Sequence, residues 1–226
     1  MVRENIVRIK ERIISACFKV NRDPSGIKIV VVSKGRGVLD IKEALASGLV
    51  DIGENRIQET LDKFNKLKAE DGGPEIQWHM IGHLQKNKVK DAVEIFQLIH
   101  SVDSLVLAEE ISKRAAKINK IQDILLEVKT SPETTKSGLG PDKVKEAIGD
   151  ISQLKNINIK GLMTIAPLVN HPEEARPYFK KLRELRESTN ASYILSMGMT
   201  DDFEVAIEEG ADIIRIGRGI FQGANG

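Results

Sequence analysis

A chain of 226 residues with 34 Lys and Arg against 33 Asp and Glu carries a formal charge of +1, so it has no overall field to gather nucleic acid or an anionic membrane. Its single cysteine, Cys17, excludes an internal disulfide and a disulfide-stapled scaffold. No apolar run approaches the roughly eighteen residues of a membrane span, and the N-terminus lacks the apolar core of a signal peptide, so a cytoplasmic location is expected.

The chain opens on a charged helix in which Ile6, Ile9, Ile13, Cys17 and Val20 recur three to four residues apart. This stripe is expected to cap the bottom of a barrel or to lie along its ring of helices, with Cys17 in the core. Residues 27–34, IKIVVVSK, form the first of eight short apolar runs; the others cover 49–54, 77–82, 98–102, 123–129, 159–165, 193–197 and 212–216. Between them, Val38 to Ser47, Arg56 to Ala69, Leu105 to Asn119, Asp142 to Lys155, Pro172 to Thr189 and Phe203 to Glu209 carry apolar residues at helical spacing. Lys86, Lys88 and Lys90 read as a solvated helix face. Strands alternating with helices predict a parallel sheet. Eight such units predict an α/β fold, a TIM (β/α)8 barrel with an extra N-terminal helix, as one domain over residues 1–226. A doubly wound open sheet fits the same pattern, because closure is not written in the periodicity.

In such a barrel the active site lies at the C-terminal ends of the strands. Those ends supply Lys34, Glu54 with Asn55, His79 with Gly82 and His83, Ser101 to Asp103, Lys129 with Thr130, Met163 to Pro167, Ser196 to Met199, and Arg215 to Gly219. Lys34 closes a β-branched strand that reads as buried on both faces. Held against apolar walls, its ammonium form is disfavoured and its neutral amine can attack a carbonyl to form a Schiff base; the plain alternative is a strand-end lysine reaching into solvent. After the seventh and eighth strands, where barrels often bind phosphate, Gly198, Gly217 and Gly219 let backbone N–H groups converge on an anion. Ser196 adds a hydroxyl. An amine facing a phosphate cradle suggests a Schiff-base aldolase or a pyridoxal phosphate site. Arg215 favours the second, since a pyridine nitrogen accepts from a guanidinium, unless it pairs with a strand-end carboxylate. Gly35 and Gly37 lack the third glycine and acidic residue of a dinucleotide fold, and His79 and His83 lack a third zinc ligand.

The segments VVVSK (30–34), GENRIQE (53–59), WHMIGHLQKNK (78–88), SVD (101–103), KSGLG (136–140), GLMTIAP (161–167) and LSMGMTDDFEVAIEEGADIIRIGRGIF (195–221) together resemble the pyridoxal phosphate homeostasis proteins, also called the YggS or PROSC family. That family is similar in fold to the N-terminal barrel of alanine racemase, a fold type III pyridoxal phosphate (PLP) protein. The resemblance implies that Lys34 holds PLP as a Schiff base and that Asn55 lies near its phenolic oxygen. It further implies that Ser196, Met199, Gly217 and Arg218 hold the phosphate, and that Arg215 faces the pyridine nitrogen. Two departures stand out: Arg218 occupies a position where the family often has threonine, and GRGVLD follows Lys34 in place of a turn with threonine and proline.

The function so implied is PLP homeostasis, by buffering, storage or delivery to PLP-dependent apo-enzymes, without turnover and as a monomer. Racemisation needs a base on each face of the substrate α-carbon, and alanine racemase draws one, a tyrosine, from a separate C-terminal domain. Here the sequence stops at Gly226 after the eighth unit, so no such domain is expected. Tyr178 falls in a helical pattern, Tyr193 starts a strand, and no proton path leads to His79 or His83. A racemase of the same fold and a cofactor-free Schiff-base lyase are the competing readings.

Overall fold

The computed structural model describes residues 1–69, 75–132 and 137–222; Lys136 of the KSGLG segment lies outside them. Eight strands form one closed parallel barrel in chain order: β1 (Lys28–Val32), β2 (Asp51–Glu54), β3 (Gln77–Met80), β4 (Leu98–Val102), β5 (Gln122–Glu127), β6 (Ile157–Met163), β7 (Ile194–Ser196) and β8 (Ile213–Ile216). Closure comes from β8 pairing with β1, Lys28 opposite Ile213 and Val31 opposite Ile216. The open doubly wound sheet is thereby excluded.

Strand residues alternate between two cores, as a period of two demands. Val30, Ile81, Leu98, Leu125, Met163 and Ile213 pack together inside the barrel. Their neighbours Val31, Ile99, Leu126, Leu162 and Ile214 face outward into the larger layer beneath the helices. This double burial explains why the strands read as continuous apolar runs. The same parity turns His79, His100, Ser196 and Arg215 inward, where all four are buried.

The expected helices are present with trimmed ends: α2 (Val38–Ala46), α3 (Ile57–Lys68), α5 (Leu105–Ala116), α6 (Val144–Ile151), α7 (Arg176–Thr189) and α8 (Phe203–Glu208). Single 3₁₀ turns at Pro141–Lys143 and Pro172–Ala175 precede α6 and α7, each with proline in its first turn. Two further short helices are present: α4 (Val89–Ile95), preceded by a 3₁₀ turn at Lys86–Lys88 where the sequence predicts a solvated helix face, and α9 (Arg218–Phe221), which was not anticipated. The N-terminal helix α1 (Val2–Lys19) lies along the ring against α8, α9 and α2, so the bottom-cap alternative does not apply. Ile6, Ile9, Ile13 and Cys17 of the expected stripe are buried together with Val2, whereas Val20 lies past the end of the helix and is exposed. Asn5 Nδ2 donates to Ile220 O at 2.9 Å, and Arg12 reaches Glu204 with two bonds of 2.9 and 2.8 Å. No helix among the described residues is long and apolar enough to cross a membrane.

Candidate functional site

Strand β1 ends at Val32, two residues before Lys34, which sits on a turn closed by Arg36 N–H donating to Ser33 O at 3.0 Å. Its side chain is exposed. The expectation of an amine held against apolar walls is therefore corrected: the strand stops early, and Lys34 stands at the rim of the mouth. From there it borders two cavities. The first, of ≈ 500 Å³, is lined by Lys34, Asn55, Met199, Arg215, Gly217 and Arg218, with Val32, Ile81, Ile165 and Leu168 among its apolar walls. The second, of ≈ 700 Å³, shares Lys34 and Asn55 and is bounded by Arg56, Glu59, His83 and Lys88. Asn55, just past β2, has its Oδ1 buried with no partner. An amide oxygen buried with nothing donating to it is costly unless a ligand supplies the donor.

At the end of β7 the chain turns through Gly198, with φ +91, where a Cβ would stand 2.6 Å from that of Ala206. Only glycine makes this turn, and it carries Met199 and Thr200 over the cavity. Met199 N–H donates to Asp202 Oδ1 at 2.6 Å, and Gly219 N–H to Thr200 Oγ1 at 3.3 Å. The Thr200 hydroxyl, which accepts here, keeps a separate O–H that can donate. Arg218 is exposed and pairs with Asp201. The extra charge that departs from the family pattern is thus answered within the loop.

Arg215 forms the buried polar floor of the first cavity. Its Nη1 donates to Ser196 Oγ at 2.7 Å and its Nη2 to Thr164 O at 2.9 Å, a hydroxyl and a carbonyl in place of a strand-end carboxylate. Burial pushes the guanidinium down to about 10, which leaves it cationic at neutral pH. Ser196 departs from expectation. It is fully buried behind Arg215 and its hydroxyl bonds the guanidinium and His100 Nδ1, the latter at 2.9 Å, so its polar contacts lie in the barrel interior and it does not line the cavity. Inward strand parity, together with the early arrival of Gly198, explains this placement.

Ser196 also opens a file of polar contacts through the barrel interior. His100 Nε2 meets His79 Nδ1 at 3.0 Å, His79 Nε2 meets Asp51 Oδ1 at 2.9 Å, and Lys28 Nζ donates to the same oxygen at 2.7 Å. Burial drives the His100 imidazole well below its ordinary value, helped by the charges of Arg215 and Lys28. For Asp51, bonds from His79 and Lys28 outweigh burial and hold the carboxyl low. His79 is thus interior, whereas His83 lines the second cavity. Sequence reasoning missed His100, Thr200 and Asp202. The inward parity of β4 signals the first, while the other two follow directly on LSMGM.

The closed barrel with a lysine after β1 and an arginine on β8 is of the alanine racemase type, and the family model "Alanine racemase, N-terminal domain" matches residues 3–225. A pyridoxal phosphate homeostasis protein of Aquifex aeolicus is 46% identical over 223 residues, covering 96% of each chain. One from Pseudomonas aeruginosa is 37% identical, over 97% of this chain and 94% of the other. The chain belongs to the pyridoxal phosphate homeostasis protein family. Among solved structures, PipY of Synechococcus elongatus with PLP bound aligns with a TM-score of 0.84 at 33% identity, covering 98% of this chain and 100% of PipY. Alanine racemase of Clostridium difficile aligns at 0.74 with 16% identity over 97% of this chain and 56% of its own, which speaks to fold alone.

Proposed function

We propose that this protein binds pyridoxal 5'-phosphate at the barrel mouth, attaches it reversibly to Lys34 as a Schiff base, and serves cytoplasmic PLP homeostasis by buffering, storage or delivery, without catalytic turnover. One observation carries the reading: Lys34, Asn55, Met199, Arg215, Gly217 and Arg218, drawn from four different strand ends, line a single cavity. Its ≈ 500 Å³ lies within the range of small-molecule sites. The orphaned Asn55 Oδ1 fits a ligand that brings its own polar edge.

PLP supplies an aldehyde for an amine to capture and a ring that can withdraw electrons. Lys34 provides that amine from the rim. Asn55 presents its amide beside it. Arg215, fixed by Ser196 and Thr164, offers the ring nitrogen a cation that donates a hydrogen bond and keeps its proton. A ring nitrogen so paired stays largely unprotonated and assists carbanion chemistry less than one paired with a carboxylate. The phosphate end falls to the backbone of Gly217 and Arg218 and to the Met199–Thr200 segment, with the Thr200 hydroxyl in the donor role expected of Ser196. Tyr178 on α7 and Tyr193 before β7 line neither mouth cavity.

His83, on the wall of the second cavity, keeps a racemase as the second reading. The deciding measurement is the visible absorption spectrum with added PLP, for the native chain beside Lys34→Ala. An imine band lost in the variant supports attachment at Lys34, and no band at saturating PLP overturns it. Exchange of the α-hydrogen of added amino acids into heavy water, abolished in His83→Ala, would replace the holding role by racemase-type chemistry.

A further inference from the structure

The Lys34 side chain is exposed, yet the backbone on both sides of it is tied down from beneath. Lys63, on the inner face of α3, is buried, and its ammonium donates to Ser33 O at 2.7 Å, to Glu54 Oε1 at 2.5 Å and to Glu59 Oε1 at 2.7 Å. All three of its hydrogens are thereby used. The same Glu59 oxygen accepts from Gly35 N–H at 2.7 Å, and Ser33 Oγ donates to Glu54 Oε1 at 2.5 Å. The residues immediately before and after Lys34 thus converge on one buried cation. Gly35, with φ +69, supplies the left-handed step that makes Lys34 the apex of the turn.

A buried ion cluster is a poor way to gain stability, because desolvation offsets most of the attraction and apolar packing often does as well. Its bonds to Ser33 and Gly35 instead fix one local geometry. We propose that Lys63 and Glu59 are positioning residues for Lys34, holding its turn so that the amine meets an aldehyde at the cavity mouth in one orientation. The inference rests on the reading of Lys34 as the attachment lysine. In that reaction the neutral amine adds to the aldehyde carbon and one water leaves as the C=N bond forms. Lys63 exchanges no proton and touches no reacting atom.

The test uses the cofactor-free protein and pyridoxal, an aldehyde that lacks the phosphate and so does not depend on the cradle. Short exposures are trapped with borohydride, whose hydride reduces C=N to a stable amine, and the label is located by peptide mass mapping. Thermal unfolding run alongside identifies variants that remain folded. Glu59→Ala and Lys63→Met are expected to lower the initial rate at Lys34 by about tenfold, the scale of losing a fixed approach, with labelling of other lysines unchanged. Glu59→Gln keeps an oxygen for Gly35 N–H and Lys63 and is expected to retain nearly the native rate. Glu59 is partly exposed, so Glu59→Ala keeps the test valid even where Lys63→Met does not fold. Folded Glu59→Ala with a native rate at Lys34 overturns the positioning role while leaving attachment intact. Lys34 labelling no faster than other lysines in the native chain, with Lys34→Ala indistinguishable from it, overturns the attachment reading and this inference together.

Discussion

Arg215 acts from within the barrel, and its partners make it sensitive to substitution. Arg215→Met would remove donors from Ser196 Oγ and Thr164 O and leave both buried and short of a partner. The expected cost is about 1–3 kcal/mol of folding stability, together with weaker PLP binding, read by denaturant unfolding and by spectral titration. Gly198→Ala tests the turn that carries Met199 and Thr200. Its φ of +91 and the 2.6 Å approach to Ala206 leave a methyl group neither a comfortable backbone nor space, and a loss of about 1–3 kcal/mol is expected. Much at this scale is legible in the sequence. The rule that function gathers at strand ends includes Lys34, Asn55, Met199, Arg215, Gly217 and Arg218 in a longer list, and the family resemblance singles them out; these six line one cavity. The orientation of Ser196 is not legible, because a residue at a strand end belongs either to the rim or to the interior depending on where the strand stops. The Lys63 cluster is equally hidden, since it joins β1, β2 and α3 through contacts no local pattern records.

Among elements, α1 braces helix α9, which carries Arg218 and Gly219. Ile9 packs toward this loop: a Cβ on Gly219 would lie 3.5 Å from Ile9 Cδ1. Ile9→Ala is expected to cost about 2–4 kcal/mol through the cavity it leaves, a fall that urea unfolding would register without loss of the PLP absorption band. The apolar pattern of β4 matches its observed bounds, but the patterns of β1, β3, β5 and β6 run past their C-terminal ends. Val128 and Ile81 there are buried and apolar, and their N–H groups still donate to Met163 O and Glu54 O of the neighbouring strands. Helix α4 is legible only as a solvated face around Lys86, Lys88 and Lys90, without its buried side or its bounds. Its buried Val89, Ala92, Val93 and Ile95 occupy only two turns and follow a run of lysines, too short a stretch for helical period to emerge.

Across the whole molecule, acid should destabilise the fold through the barrel interior. His100 has a native value well below the ordinary imidazole 6.5, chiefly from burial. The unfolded chain therefore binds a proton more readily than the native one, and stability rises with pH between the two values. The contribution is full above about pH 6.5 and is lost as pH falls below it toward the native value. Thermal unfolding from pH 8 to pH 5 would show the decline, and His100→Gln would flatten it. Glu54 and Glu127 act in the opposite sense: burial raises both, so their contribution is complete below the usual carboxylate value and lost as pH rises from there through their raised native values.

A guanidinium can only donate and an ionised carboxylate can only accept. With Ser196 Oγ accepting from Arg215, its hydrogen goes to His100 Nδ1. His100 must then donate from Nε2 to His79 Nδ1, and His79 from Nε2 to Asp51. Both imidazoles are confined to the same tautomer, and every O–H and N–H bond from Arg215 to Asp51 points from mouth to floor, where Asp51 also accepts from Lys28. Nitrogen-15 NMR should find both rings as Nε2–H, and Asp51→Asn, which ends the line with a group able to donate, should free the sense of the line to reverse. The barrel encloses a single oriented dipole, and the cation at the floor of the mouth cavity is its head.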